Sequence, residues 1–137
     1  MAEILIVDDQ KCVRQLLGAE LTLAGYHVTG ADGAERAKAC LSSSRPELVL
    51  LDLYLDGPQG FGLLDDIKAR YPDIPVIVLT AYDGFRDDPR LSKADGYFIK
   101  SFDFDNLKRT IAAILGQEKP GKYTAGILSP LTSWAGR

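Results

Sequence analysis

The sequence predicts a doubly wound α/β domain on a five-stranded parallel sheet, and three observations carry that prediction. Short apolar runs at 4–7, 48–51, 76–79 and 97–99 are rich in branched residues and bounded by polar or turn residues, as fully buried parallel strands are. Stretches with helical spacing separate them, so strand and helix alternate. Each run also ends on a chemically capable side chain: Asp8 with Asp9, Asp52, Thr80 and Lys100.

The elements follow in order. After the first strand, Val13, Leu16, Leu17, Leu21 and Ala24 recur at helical spacing, and Gly25 is placed to cap the helix end. A weaker second strand spans 26–30, where His27 and Thr29 alternate with apolar neighbours as on an exposed edge. Asp32 is expected to cap a helix over 33–41, which the Ser42-Ser43-Ser44-Arg45-Pro46 loop ends. Phe61, Leu64, Ile67 and Tyr71 mark the next helix, stopped before Pro72. Between Thr80 and Lys100 the pattern is damaged by Asp83-Gly84 and Asp88-Pro89. Proline suits a first helical turn, so a loop over 81–88 and one or two helical turns over 89–94 are expected. In the last helix Asp103 is the expected N-cap, Asp105 sits in the first turn, and Leu107, Ile111, Ile114 and Leu115 form the apolar stripe. From Gln117 onward the pattern is lost. The reading is thus one domain over 1–117 and a tail or linker over 118–137 that holds the single tryptophan, Trp134.

With 137 residues, 46% of them hydrophobic and 26% charged, the chain has room for one domain and a sizeable core. A net charge of -3 gives no basic footprint, which argues against direct nucleic-acid binding. No apolar run approaches the ~18 residues of a membrane span, and no secretory signal precedes the first strand. Cys12 and Cys40 lack ligand-like spacing and read as reduced small hydrophobes of a cytoplasmic protein. His27 shows no partner in the sequence and reads as surface or edge packing.

Ligands of open α/β sheets bind beyond the carboxyl ends of the strands, so Asp8, Asp9, Asp52, Thr80 and Lys100 are expected to converge. Carboxylates about 5 Å apart repel by ~3 kcal/mol per pair at an effective dielectric near 20, so three of them call for a bound cation. All-oxygen ligands favour magnesium, with manganese possible, over zinc. Asp52 could attack phosphorus as a carboxylate nucleophile, Lys100 supplies a point charge, and Thr80 offers a hydroxyl donor.

The segments ILIVDDQKCVRQLL, RPELVLLDLYL with Gly60 beyond it, VIVLTAY and GYFIKSFDFDNL, in this order and spacing, resemble the receiver domain of bacterial two-component response regulators over residues 3–117. The resemblance implies a flavodoxin-like strand order 2-1-3-4-5, and the damaged pattern between Thr80 and Lys100, about two residues shorter than in typical members, adds a shortened fourth helix. It implies a cytoplasmic phosphorylation-dependent switch rather than a turnover enzyme, with self-catalysed phosphoryl transfer and slow autodephosphorylation. The donor would be a sensor histidine kinase or phosphotransfer protein; the output partner is unspecified, with neither nucleic acid nor membrane implied. Asp52 matches the phospho-acceptor, Asp9 the direct metal ligand, Asp8 the acid acting through water, and the Tyr54 backbone carbonyl the remaining metal ligand. Thr80 and Lys100 match the switch hydroxyl and the phosphoryl-binding lysine, and Tyr97 the switch aromatic. Tyr54 and Tyr82 occupy the positions that border the path of hydrolytic water.

Two departures stand out. Lys100 is followed by Ser101 where the family usually has proline, often after a cis bond, which costs ~2.5–4 kcal/mol before a non-proline residue. Asp56 stands where the family tends to have proline, which is delayed to Pro58. Two other readings compete. A haloacid-dehalogenase-type phosphatase would use the same residue types, but it wants Asp-x-Asp after its first strand, where this chain has Asp8-Asp9-Gln10. A receiver-like adaptor that works without phosphate is the third. With no further domain expected after Gln117, the chain reads as a stand-alone receiver or one cut from a longer protein.

Overall fold

The computed structural model describes residues 2–55, 59–81, 84, 87–100 and 103–117. The α/β unit runs from Met1 to Phe102, and a C-terminal unit begins at Asp103. The elements of the first unit are β1 (Glu3–Val7), α1 (Lys11–Leu23), β2 (His27–Ala31), α2 (Ala34–Ser44), β3 (Leu48–Asp52), α3 (Gln59–Arg70), β4 (Val76–Thr80) and β5 (Gly96–Ile99). The strands form one all-parallel sheet in the order β2-β1-β3-β4-β5, as expected.

Strand alternation divides the buried residues between two faces. Leu5, Val7, Val49, Leu51, Val76 and Val78 join one core with Ala37 and Leu41 of α2 and Phe61, Leu64 and Ile67 of α3. Ile4, Ile6, Leu48, Leu50, Ile77 and Leu79 are equally buried, as are Leu17 and Leu21 of α1. The central strands β3 and β4 are buried at every position. The expectation of full burial fails at β5, whose four residues are half-buried because it lies at a sheet edge, paired among the described residues with β4. The other edge, β2, is mostly exposed, and His27 is not alone there: its Nδ1 lies 3.2 Å from Glu3 Oε2 across the register.

Local chemistry sets the helix ends. At the end of α1 the Tyr26 N–H donates to the Leu21 carbonyl and the Gly25 N–H to that of Thr22, the paired bonds of a Schellman turn. Gly25 adopts φ 101°, the left-handed conformation this turn requires, one residue beyond the cap itself, Ala24. Asp32 does not cap α2; Gly33 is the N-cap, no side chain bonds there, and the helix runs on to Ser44. Cys12 is exposed rather than packed, while Cys40 borders the core.

Between β4 and β5 the short helix expected over 89–94 is a 3-10 turn, Pro89–Leu91, continued by a backbone bond from the Ala94 N–H to the Leu91 carbonyl. Asp88 fixes it, accepting from the Arg90 N–H at 2.9 Å and pairing with the Arg90 guanidinium at 2.7 Å. The Arg90 guanidinium lies 3.7 Å above the Phe61 ring, and Leu91 enters the core. In the C-terminal unit, α4 (Phe104–Gln117) begins as predicted, with Asp103 Oδ1 accepting from the Asp105 N–H. Of its stripe, Leu107 and Ile111 are fully buried. The expected tail over 118–137, with Trp134, lies outside the described residues.

Candidate functional site

The parallel sheet carries β1, β3, β4 and β5 to one carboxyl edge, and there the predicted residues meet. Asp8 follows β1, Asp52 and Thr80 are the last residues of β3 and β4, and Lys100 follows β5. A hydrogen bond from the Lys100 N–H to the Thr80 carbonyl, 2.7 Å long, extends the β4–β5 ladder and anchors the lysine.

The Lys100 side chain reaches across the edge to two carboxylates. Its Nζ donates to Asp52 Oδ2 at 3.0 Å and lies 2.8 Å from Asp8 Oδ2. The second contact is an ion pair without hydrogen-bond alignment, so Asp8 Oδ2, fully buried, has no hydrogen-bond partner among the described residues. The other oxygens are engaged. Asp8 Oδ1 accepts from the Gln10 N–H at 2.9 Å, and Asp52 Oδ1 from the Tyr54 N–H at 3.2 Å. Asp9 is exposed and lines a cleft of about 350 Å³ with Asp32, Gly33, Leu55 and Gln59.

The electrostatics follow from burial. Desolvation pushes the Asp52 carboxyl above its ordinary range; the Lys100 hydrogen bond pulls it back, and the Asp8 charge pushes it up again. Burial disfavours the charge on Lys100, but its contacts with Asp8 and Asp52 outweigh that and raise its pKa. One ammonium thus serves two buried carboxylates, with a third beside them.

Asp8, Asp9 and Asp52 each place an oxygen within 4.8 Å of the others, close enough for one cation to bridge after small side-chain movements. An oxygen-only donor set, with a buried Asp8 oxygen that lacks a hydrogen bond among the described residues, fits magnesium.

Thr80 is completely buried at the edge, and Tyr97 is half-buried against the core beside Val78. Tyr54 is 37% exposed. Tyr82, Ser101, Asp56 and Pro58 lie outside the described residues, and with them the question of a cis bond after Lys100.

Two contributors were missed in the sequence. Gly60 opens α3 against the end of β3: its N–H donates to the Leu53 carbonyl, and a Cβ there would collide with the backbone of Leu53 and Asp52. The kept spacing from Asp52 to Gly60 was visible, but not the contact behind it. Arg14 donates from Nη1 to the Asp8 carbonyl at 2.8 Å. A cation near the start of a helix, where the dipole disfavours it, was the available signal.

A family model described as the response regulator receiver domain matches residues 4–112. The phosphate regulon transcriptional regulatory protein PhoB of Pseudomonas aeruginosa is 34% identical over 130 residues, covering 90% of this chain and 56% of PhoB. The transcriptional regulatory protein KdpE of Staphylococcus aureus is 33% identical over 139 residues, covering 93% of this chain and 58% of KdpE. The chain spans about half the length of the curated relatives it matches. Among solved structures, the response regulator protein TrrA of Thermotoga maritima in complex with Mg(2+)-BeF is 37% identical with a TM-score of 0.79, covering 83% of this chain and 99% of TrrA. TrrA in complex with the histidine kinase ThkA gives 37% identity and a TM-score of 0.78, covering 84% of this chain and 99% of TrrA.

Proposed function

We propose, from the premise that this chain belongs to the family of response regulator receiver domains, that Asp52 accepts a phosphoryl group and so drives a two-component signalling switch. The observation that carries the reading is the pairing of buried Asp52 with Lys100 at 3.0 Å, beside Asp8 and Asp9. Residues 1–117 act as the receiver, with 118–137 as a tail or linker.

An Asp52 carboxylate oxygen attacks the donor phosphorus; the new P–O bond forms as the bond to the donor's leaving group breaks, and that group departs with its electron pair. Asp9, Asp52, the Tyr54 carbonyl and, through water, Asp8 would hold a magnesium or manganese ion, which supplies charge neutralisation at the transferred oxygens. Lys100 leaves its ion pair with Asp52 to hold a phosphoryl oxygen. Thr80 donates its hydroxyl to another, and Tyr97 turns inward behind it. Buried Asp52 keeps bulk water from the acyl phosphate, and Tyr54 and Tyr82 narrow the remaining approach, making the phosphorylated form long-lived.

A histidine kinase or phosphotransfer protein is the proposed donor, supported by the solved complex of TrrA with ThkA. For the output we propose a protein partner of this stretch rather than DNA, on its net charge of -3. No helix among the described residues is long and apolar enough to cross a membrane.

The test is intact-mass measurement after incubation with acetyl phosphate and magnesium. One hydroxylamine-labile phosphoryl adduct is expected in the parent and none in Asp52→Asn. An adduct that persists in Asp52→Asn sinks the assignment, and no adduct in the parent favours a phosphate-independent adaptor. Steady release of phosphate from a generic phosphomonoester would instead favour a phosphatase of the haloacid dehalogenase type. Tyr54→Asn with Tyr82→Glu is expected to speed decay of the adduct about tenfold, equivalent to ~1.4 kcal/mol of barrier. Unchanged decay would rule the tyrosines out as gates.

A further inference from the structure

We propose that Arg14 is a positioning residue for the cation site, holding the turn after β1 so that Asp8 and Asp9 stay aimed at Asp52. The inference rests on reading the three carboxylates as that site.

The Asp8 residue is tied at three atoms. Its N–H donates to the Ala31 carbonyl at 3.1 Å, which extends the β1–β2 ladder by one residue. Its Oδ1 accepts from the Gln10 N–H, which closes the turn over Asp9. Its carbonyl, past the last strand bond, accepts from the Arg14 guanidinium at 2.8 Å. Only the backbone bonds and the local turn are available to any sequence with aspartate here. The third tie depends on one side chain reaching back from α1.

Arg14 is well placed to make it. The Arg14 N–H bonds to the Gln10 carbonyl, so its Cα is fixed one turn into the helix. Its stem passes Gly30 of β2, where a Cβ would lie 3.4 Å from Arg14 Cδ and 3.7 Å from Nε. A Cβ at Gly30 would thus only touch the stem at van der Waals distance. The helix dipole disfavours a cation at this end, and the first turn of α1 holds no acidic residue to offset it. What compensates is the carbonyl bond itself, with the acidic turn beside it. A guanidinium also stays charged throughout the working pH range, so the tie does not titrate.

With the turn loosened, Asp8 and Asp9 would sample orientations that no longer converge, and the cation would have to restore the order on binding. A charge-assisted hydrogen bond of ordinary strength makes that worth about tenfold in affinity.

The test compares the full chain with Arg14→Met, which keeps the stem beside Gly30, and Arg14→Lys, which restores one donor. Magnesium affinity is measured by calorimetry, exchange of the Gln10 amide by nuclear magnetic resonance in EDTA, and the fold by its urea midpoint in EDTA. Arg14→Met is expected to bind magnesium about tenfold more weakly and to exchange the Gln10 amide about tenfold faster, at a parental urea midpoint. Arg14→Lys should recover most of both. Parental affinity and parental exchange in Arg14→Met would overturn the proposal. So would a loss of affinity matched by a lower urea midpoint and unrelieved by lysine, because that marks a merely structural role. A parent that binds no magnesium defeats the cation-site reading instead, and the Gln10 exchange rate then decides the positioning role by itself.

Discussion

The two edges of the sheet use the same chemical groups to opposite ends. At the amino edge of β4 and β5, Lys68 of α3 donates to Asp95 Oδ2 at 3.1 Å and to the Ile74 carbonyl at 3.0 Å. Asp95 Oδ2 also accepts from the Val76 N–H at 2.8 Å, while its own N–H returns to the Val76 carbonyl. One lysine meets one carboxylate, and backbone groups complete both shells. At the carboxyl edge one lysine meets two buried carboxylates, a third stands beside them, and among the described residues one buried oxygen lacks a hydrogen bond. Matched charge makes a clasp, and surplus negative charge leaves carboxylates that a cation could balance. The contrast teaches that the count of donors against acceptors, more than the presence of an ion pair, separates structure from function.

Exchanging the lysines' fates is the sharpest way to break the comparison. Lys100→Met is expected to slow labelling by acetyl phosphate about 100-fold, as for removal of one donor to a reacting oxygen. Its urea midpoint in EDTA should also fall, because the two buried carboxylates lose the ammonium they share. Labelling at the parental rate would remove Lys100 from the reaction.

The next largest effect is expected at Gly60. An added Cβ must displace the backbone that carries Asp52, so Gly60→Ala should destabilise the fold by about 1–3 kcal/mol and also weaken magnesium binding. Denaturant unfolding together with a metal titration checks both. A variant with intact stability would mean that α3 shifts freely and does not brace the site.

Lys68→Met should cost about 1–3 kcal/mol by leaving Asp95 without its cation, while phosphoryl uptake stays parental. A drop in labelling rate as large as that of Lys100→Met would erase the distinction between the edges.

The smallest effect is a pH dependence. Asp52 is raised chiefly by burial, so the folded chain holds its proton more tightly than the unfolded chain does. In EDTA its ionisation therefore lowers stability as pH rises from the ordinary carboxylate range, near 3.9, through the raised folded value. Asp52→Asn should be more stable than the parent at pH 7, and the gap should close as pH falls toward 4. With magnesium present the order should reverse. Urea unfolding across that range decides it: a lower stability of Asp52→Asn than of the parent at pH 7 in EDTA would show that the site carries no unbalanced charge.

Much of this was legible along the chain because it is local. A run such as 48–51 announces a buried strand by composition, and a residue that ends a parallel strand is carried to the carboxyl edge whatever the details of packing. The Asp103 cap and the left-handed Gly25 were likewise readable, since their hydrogen bonds span a few residues. Where the reading failed, a competing neighbour decided. At α2 the Gly33 backbone took the cap position from Asp32.

By itself, then, the sequence determined the alternation of strands and helices, the all-parallel sheet and the set Asp8, Asp9, Asp52, Thr80 and Lys100 gathered on its carboxyl edge. Tertiary structure alone decided which charges share partners. Lys100 lies 48 residues from Asp52 and Lys68 lies 27 from Asp95, and no periodicity reports a pairing across such separations. It also decided that β5 is half-buried, that Gly60 must stay bare and that Arg14 turns back to the Asp8 carbonyl. Each of those depends on how closely two distant backbones approach. Steric fit and low-dielectric electrostatics set that distance only once the sheet is assembled.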